Sequence, residues 1–268
     1  MHFKDRRDAG KQLAAALRTR LKSRLEKHLR GSRGDFRLQS GNFSSQYLDI
    51  PSSELSAFRS KISRDNHQPT FETDSKKFRG EEVVVYALPR GGVVLGFEVA
   101  RALHAPLDLV IARKIGHPSN PEYAVCAVTE DGTLLCNELE RASLDPEWLK
   151  QKAEKEREEA ERRRKTYLKD KKHISAAGKI AFVVDDGVAT GLTLRAALRS
   201  LRAERPKKLI VAVPVAPHEV VEILRKEADE VIVLEDVRDY RGAVGAYYDD
   251  FPQTTDEEVI QLLQEVRQ

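Results

Sequence analysis

Ile180-Ala181-Phe182-Val183-Val184-Asp185-Asp186-Gly187-Val188-Ala189-Thr190-Gly191-Leu192-Thr193 is the stretch that decides the fold. Its apolar opening reads as a strand covered on both faces, and Thr193-Leu194-Arg195-Ala196-Ala197-Leu198-Arg199-Ser200-Leu201 continues with apolar residues at helical spacing. Asp185 therefore stands at the carboxyl end of a strand, where open parallel sheets place their ligands. Gly187 and Gly191 allow a sharp turn and close approach to an anion, Thr190 and Thr193 supply hydroxyls, and the first amides of the helix are unpaired. The two carboxylates would repel a bare phosphate. A sugar phosphate uses both features, the amides for its phosphate and the carboxylates as acceptors for two ribose hydroxyls. A strand ending in Asp-Asp before a Gly-rich turn is also ordinary turn and capping chemistry, and the Ala-Thr-Gly-x-Thr tail is what favours a ligand. No Gly-Lys-Ser/Thr follows the loop and no Gly-x-Gly-x-x-Gly opens a strand-to-helix turn, which argues against P-loop and Rossmann sites.

The whole run resembles the phosphoribosyl-pyrophosphate (PRPP) loop of type I phosphoribosyltransferases. The resemblance implies Asp185 and Asp186 at the ribose hydroxyls and, through water or PRPP, at Mg2+. It implies Gly187, Val188, Ala189, Thr190, Gly191, Leu192 and Thr193 around the 5-phosphate. A second apolar strand, Val83 to Leu88, leads into Pro89-Arg90-Gly91-Gly92 and a helical stretch from Val94 to Leu103. Arg-Gly-Gly alone is more often a plain turn; beside the first loop it looks like the family's pyrophosphate loop, with Arg90 and the Gly91 and Gly92 amides on the leaving group. A third strand, Leu107 to Ala112, delivers Arg113 and Lys114 and then the polar stretch Ile115 to Tyr123, where the family has a basic residue and a mobile loop. His117 in that stretch has no metal-ligand spacing; it reads as a loop proton carrier or cation or, as is commoner for a lone loop histidine, as simply exposed. Near the C terminus, Val244-Gly245-Ala246-Tyr247-Tyr248-Asp249-Asp250-Phe251 resembles the hood of purine phosphoribosyltransferases. The likeness implies Tyr247, Tyr248, Asp249 and Asp250 on the acceptor side, with Asp249 near the metal.

The fold expected is α/β, a type I phosphoribosyltransferase fold with a parallel sheet flanked by helices, a small C-terminal hood and an N-terminal helical elaboration. Leu13, Leu17, Leu21, Leu25 and Leu29 recur every fourth residue, giving an amphipathic helix over 1–30 that docks on the body or on a second subunit, as in a homodimer. Its opening, Phe3 to Gly10, resembles the start of a poorly characterised group of phosphoribosyltransferases. Residues 31–79 read as an inserted polar, partly mobile segment with one short helix signal around Ser53 to Arg59, and 80–268 as the phosphoribosyltransferase domain with its hood at about 238–252. Arg30, Arg33 and Arg37 read as a solvated basic face rather than a nucleic-acid contact. Pro146 opens a helix reaching Leu168, expected to be mostly exposed, with Glu158–Arg162, Glu159–Arg163 and Glu161–Lys165 pairs. A strand from Pro206 to Pro214, a helix from His218 to Lys226, a strand from Val231 to Leu234 and a helix from Asp256 to Val266 complete the pattern, the last capped by Thr254 or Thr255.

A chain of 268 residues with net charge +3 and 33% charged residues has no global polyanion-binding signature. Its apolar runs are strand-sized and its N terminus lacks an apolar signal core, so a cytoplasmic protein is expected, with no membrane partner. Cys126 and Cys136 flank Asp131-Gly132; a two-residue hairpin loop would set Cys136 opposite Ala127 and leave both as free thiols. The activity implied is transfer of the 5-phosphoribosyl group from PRPP to a small-molecule acceptor with release of pyrophosphate. The alternative is a non-catalytic PRPP-sensing regulator or interaction protein, because fold does not settle function. In 6-oxopurine enzymes an aspartate stands where this chain has Ala189, so hypoxanthine and guanine are expected to be poor acceptors.

Overall fold

The computed structural model describes residues 2–34, 82–169 and 171–266, with side chains of the first segment described up to residue 20. Five parallel strands, β1 (Val83–Ala87), β2 (Leu107–Leu109), β6 (Ile180–Val184), β7 (Lys208–Pro217) and β8 (Glu230–Val237), form a sheet in the order β2-β1-β6-β7-β8. All five residues of β1 and of β6 are buried, as continuous apolar runs require when helices cover both faces. The period of two divides them: Val83, Val85, Ala87, Phe182 and Val184 join one core, and Val84, Tyr86, Ala181 and Val183 the other. The first core is closed by Ala9 to Leu17 of α1 (Arg6–Gly34), α2 (Gly91–Leu103), the end of α4 (Pro146–Leu168) and α7 (Asp256–Glu265). The second is closed by α5 (Leu192–Ala203) and α6 (His218–Glu227).

An antiparallel sheet of β3 (Ala112–His117), β4 (Asn120–Thr129) and β5 (Leu134–Cys136) stands beside α5, with the short α3 (Glu138–Arg141) after it. The third strand expected over 107–112 is thus two pieces, since the chain leaves the parallel sheet after Leu109 and restarts at Ala112 in the other one. The polar stretch after Ile115 is also not a loop. It is the tip of the β3–β4 hairpin, where a Cβ on Gly116 would lie 2.0 Å from the Pro121 carbonyl oxygen.

The β4–β5 register corrects the cysteine expectation. Cys126 pairs with Cys136 and the two are disulfide-bonded. The loop holds three residues, not two: Thr129 N donates to Thr133 O at 3.1 Å, and Gly132 takes the left-handed region at φ 87°. One added residue shifts every opposing pair by one, which moves Cys136 from Ala127 to Cys126.

Helix α4 runs from Pro146 with Asp145 as its cap, accepting from Glu147 N at 3.0 Å. It is less exposed than its composition suggests, burying Leu149, Glu156, Ala160, Tyr167 and Leu168. Glu159 pairs with Arg163 at 2.8 Å but also takes Arg162 at 2.6 Å, and Glu161 is held by Arg157, so the other two expected pairs are replaced. The chain divides into two compact units, Met1–Thr19 with Phe78–Gln268, and Arg20–Lys77. In the first, Leu13 and Leu17 of α1 are fully buried. The side chains of Leu21, Leu25 and Leu29, and the expectations for residues 35–81, lie outside the described residues.

Candidate active site

The carboxyl ends of β1 and β6 deliver two loops to one place. Asp185 and Asp186 follow β6, both partly buried, and the Asp186 amide donates to Asp185 Oδ1 at 2.9 Å. Burial first, and then the Asp186 charge, push the Asp185 carboxyl well above the usual carboxylate range, against the pull of the Lys114 ammonium. The loop beyond is pinned where Val188 N donates to Val215 O at 2.9 Å. Gly191 then caps α5 at φ 77°, and no side chain satisfies that helix's first amides.

The second loop enters α2 at once. Arg90 is its N-cap, again with no side-chain bond, and Gly91 and Gly92 lie in the first turn. Asn137, Asp145 and Thr255 cap α3, α4 and α7, while α6, which opens at Pro217, also lacks a side-chain cap. A Cβ on Gly91 would stand 1.8 Å from Asp186 Oδ2, and one on Gly92 3.0 Å from Asp185 Oδ1. Two glycines thereby let the start of α2 press against both carboxylates, and any side chain at Gly91 would push them apart.

The expected cations have different fates. Arg90 Nη1 lies 3.4 Å from Asp256 Oδ1 at the start of α7. Alternation along β3 sends Arg113 and Lys114 to opposite faces. Arg113 turns to Glu156 of α4, at 2.9 Å, while Lys114 is exposed and acts on Asp185 through its charge. His117 serves its own turn, accepting from Ser119 N at 3.2 Å.

The hood is a single turn of 3-10 helix, Val244–Tyr247, and the residues around it. Tyr247 and Tyr248 are buried. Tyr247 stacks on Tyr240 at 5.5 Å between ring centroids, and Tyr248 Oη donates to the Asp186 carbonyl at 2.6 Å. Asp249 and Asp250 are exposed, the former held by His2 Nδ1 at 2.8 Å. Tyr247 and Tyr248, expected on the acceptor side, are thus packed, and the Tyr248 hydroxyl reaches the backbone of the loop between β6 and α5.

Sequence reasoning missed Arg6 altogether. Its Nε donates to Asp186 Oδ2 at 2.6 Å, and its guanidinium lies 3.6 Å from the centroid of the Phe251 ring. Only the likeness of the Phe3 to Gly10 segment to related N termini hinted at a role there.

A parallel sheet with two glycine-lined loops meeting at paired carboxylates defines a class, and comparison with known proteins names it. The sequence model of the phosphoribosyl transferase domain matches residues 68–251, and the chain belongs to that family with a type I phosphoribosyltransferase fold. It is 40% identical over 186 residues to "Putative phosphoribosyl transferase Rv0571c" of Mycobacterium tuberculosis, a match covering 69% of this chain and 42% of that one. The matched part is thus less than half the length of that relative. Among solved structures, TT1426 from Thermus thermophilus is 34% identical, covers 99% of each chain and superposes with a TM-score of 0.65. Among the described residues no helix is long and apolar enough to cross a membrane.

Proposed function

We propose that this protein transfers the 5-phosphoribosyl group of PRPP to a small-molecule acceptor, releasing pyrophosphate. One observation carries the reading: the uncapped start of α2 presses against the adjacent carboxylates Asp185 and Asp186, and the loop that carries them runs on through Gly191 into a second helix without a side-chain cap, α5. Amides of Ala189 to Thr193 bind the 5-phosphate, Asp185 and Asp186 accept from the ribose diol, and Gly91, Gly92, Arg90 and Lys114 take the pyrophosphate. For Arg90 this requires leaving Asp256, a long contact that costs little to break. Arg113, neutralised by Glu156, contributes at most through its backbone. The acceptor nucleophile attacks the anomeric carbon as the bond to pyrophosphate breaks, and the loops supply alignment and charge stabilisation.

Among the described residues no three His, Cys, Asp or Glu side chains gather as a metal cage. The oxygen-only donors of Asp185 and Asp186 fit a hard cation, and they would hold Mg2+ through water or PRPP, where it would supply charge neutralisation for the leaving pyrophosphate. Asp249, turned to His2, stands further from that role. Ala189 offers no acid or base, which favours a pyrimidine, another heterocycle or an amine over a 6-oxopurine. A cytoplasmic site of action goes with this reading, although the Cys126–Cys136 bridge is more typical of oxidising compartments. The packed Tyr247 and Tyr248 favour a second reading, a PRPP-responsive regulator without an acceptor.

Calorimetry with magnesium and PRPP tests the site. Wild type binds, and Asp185→Asn with Asp186→Asn weakens binding by about a hundredfold, the loss expected for two charge-assisted hydrogen bonds. Equal affinity in a folded double variant would overturn the assignment. Phosphorus NMR with a panel of bases and amines then separates enzyme from sensor, through pyrophosphate release that depends on one acceptor.

A further inference from the structure

Arg6 comes from the first turn of α1, outside the residues that the family model matches, yet its side chain ends in the candidate site. It is 11% exposed and its partner Asp186 is 17% exposed. The guanidinium has three fixed neighbours: Asp186 Oδ2 on Nε, the Pro252 carbonyl on Nη1, and the Phe251 ring beneath its plane. A Cβ on Gly91 would come within 2.6 Å of Arg6 Nε, so the pyrophosphate-type loop closes against the same group. Behind it the chain is anchored twice over. Phe3 N donates to Tyr247 O at 2.9 Å, Asp249 N to Phe3 O at 2.8 Å and Asp250 N to Lys4 O at 2.9 Å, and Phe3 itself is fully buried. Those bonds already tie the N terminus to the hood. The Pro252 and Phe251 contacts of Arg6 add to that tie, but its bond to the Asp186 carboxylate points away from the hood to the loop after β6, and the guanidinium covers a face of Phe251.

We infer that Arg6 is a positioning residue of the ribose subsite, holding the Asp186 carboxylate in the one orientation from which it accepts a hydroxyl of the diol. The inference rests on the PRPP reading above. A planar fork suits this task, because bonds through two nitrogens and stacking through the face fix three directions at once, which a lysine ammonium cannot do.

The test pairs a change in the protein with a change in the ligand. Ribose 5-phosphate and its 2,3-dideoxy analogue are titrated by calorimetry into wild type, Arg6→Gln and Arg6→Lys, with thermal melts to establish that each variant is folded. Arg6→Gln is expected to lose about tenfold in affinity for ribose 5-phosphate and less than about twofold for the analogue, with Arg6→Lys in between for the diol ligand. In an Asp186→Asn background Arg6→Gln should add less than about twofold. Equal losses on both ligands, or an undiminished loss in the Asp186→Asn background, would make Arg6 a structural tie and overturn the inference. If wild type binds neither PRPP nor ribose 5-phosphate, the PRPP reading falls and takes this inference with it. If wild type binds and the losses are equal, only the role of Arg6 falls.

Discussion

Two clusters of buried charge flank β1, and they are built on opposite principles. At the end of β6, Asp185 and Asp186 sit side by side with one guanidinium, Arg6, on one of their four oxygens. On β2, Asp108 is almost wholly buried and its carboxylate is saturated. Arg164 Nη2 donates to both its oxygens at 3.0 and 3.1 Å, and the amides of Leu109 and Ile174 add bonds of 2.8 and 2.7 Å. His173 bridges Asp108 to Glu204 at 3.1 and 2.8 Å, and Arg164 Nη1 reaches Glu130 at 2.8 Å. Burial alone would raise Asp108, but the His173 hydrogen bond, the Arg164 charge and the two amides outweigh it and hold the carboxyl below its ordinary range. Asp185 has no such set of donors and goes the other way. Perturbed carboxylates therefore mark both places, and spare acceptor capacity is what separates the candidate site from the staple.

The staple should fail first and hardest. Arg164 serves Asp108, Glu130 and the Leu109 carbonyl, so Arg164→Ala removes the guanidinium that two buried carboxylates share and is expected to cost about 3–5 kcal/mol. Urea unfolding measures it. Affinity for PRPP in the surviving folded fraction should change little, because the cluster holds elements together and lends no group to the loops. A loss under about 1 kcal/mol would erase the distinction between the clusters.

Glu130 is the weak point of the staple, and pH exposes it. Burial, with Asp108 adding to it and Arg164 opposing, pushes its carboxyl from 4.5 up to about 7, and its Oε2 has no partner. Between those values the folded chain holds a proton that the unfolded chain has lost, so stability falls as pH rises from 4.5 through 7. His173 acts in the same direction. Its folded value lies above 6.5, raised by Asp108 against the cost of burial and then by Glu204, so its contribution is complete below 6.5 and fades above. Asp108 opposes at the acid end, losing its contribution as pH falls below 3.8 toward its lowered folded value. Maximal stability is expected on the acid side of neutrality. Glu130→Gln should flatten the fall and gain up to roughly 3 kcal/mol at pH 8 relative to wild type. Parallel pH profiles of melting temperature would place the titration elsewhere.

The two clusters were not equally legible. Asp185 to Thr193 announces itself because strand, turn and helix start are consecutive, and Pro146 after Asp145 fixes a helix start by local chemistry alone. Asp108, Arg164 and His173 give no signal, since each is an ordinary polar residue until the sheet edge, α4 and the segment before β6 meet. Arg6 and Asp186 are 180 residues apart, and nothing near Arg6 foretells its partner. Arg113 and Lys114 read alike as cations, and only the turn of β3 against α4 gives one of them to Glu156. The hairpin is legible from the sequence, but its register is not. Its register turned on one residue, Gly132 in the left-handed region, with Thr129 Oγ1 bonded to Asp131 holding a three-residue loop. Local patterns fix elements; pairings across the chain depend on how those elements dock.

The smallest effect carries the opposite sign. If the Asp185–Asp186 pair is kept for binding and not for folding, removing one charge should relieve the protein. Asp185 lies in a position where burial and the adjacent Asp186 both disfavour its ionised form, and its Oδ1 bond to the Asp186 amide survives in an asparagine that keeps its carbonyl oxygen there. Asp185→Asn is therefore expected to raise stability at pH 7 by about 1–2 kcal/mol, the gain typical when a strained functional group is neutralised. The gain should shrink as pH falls, because protonation gives the wild-type carboxyl the same relief. Thermal melts at several pH values read it directly. A loss of stability would mean that Asp185, like Asp108, is held by bonds that its buried charge strengthens, and the contrast between the two clusters would then be one of degree.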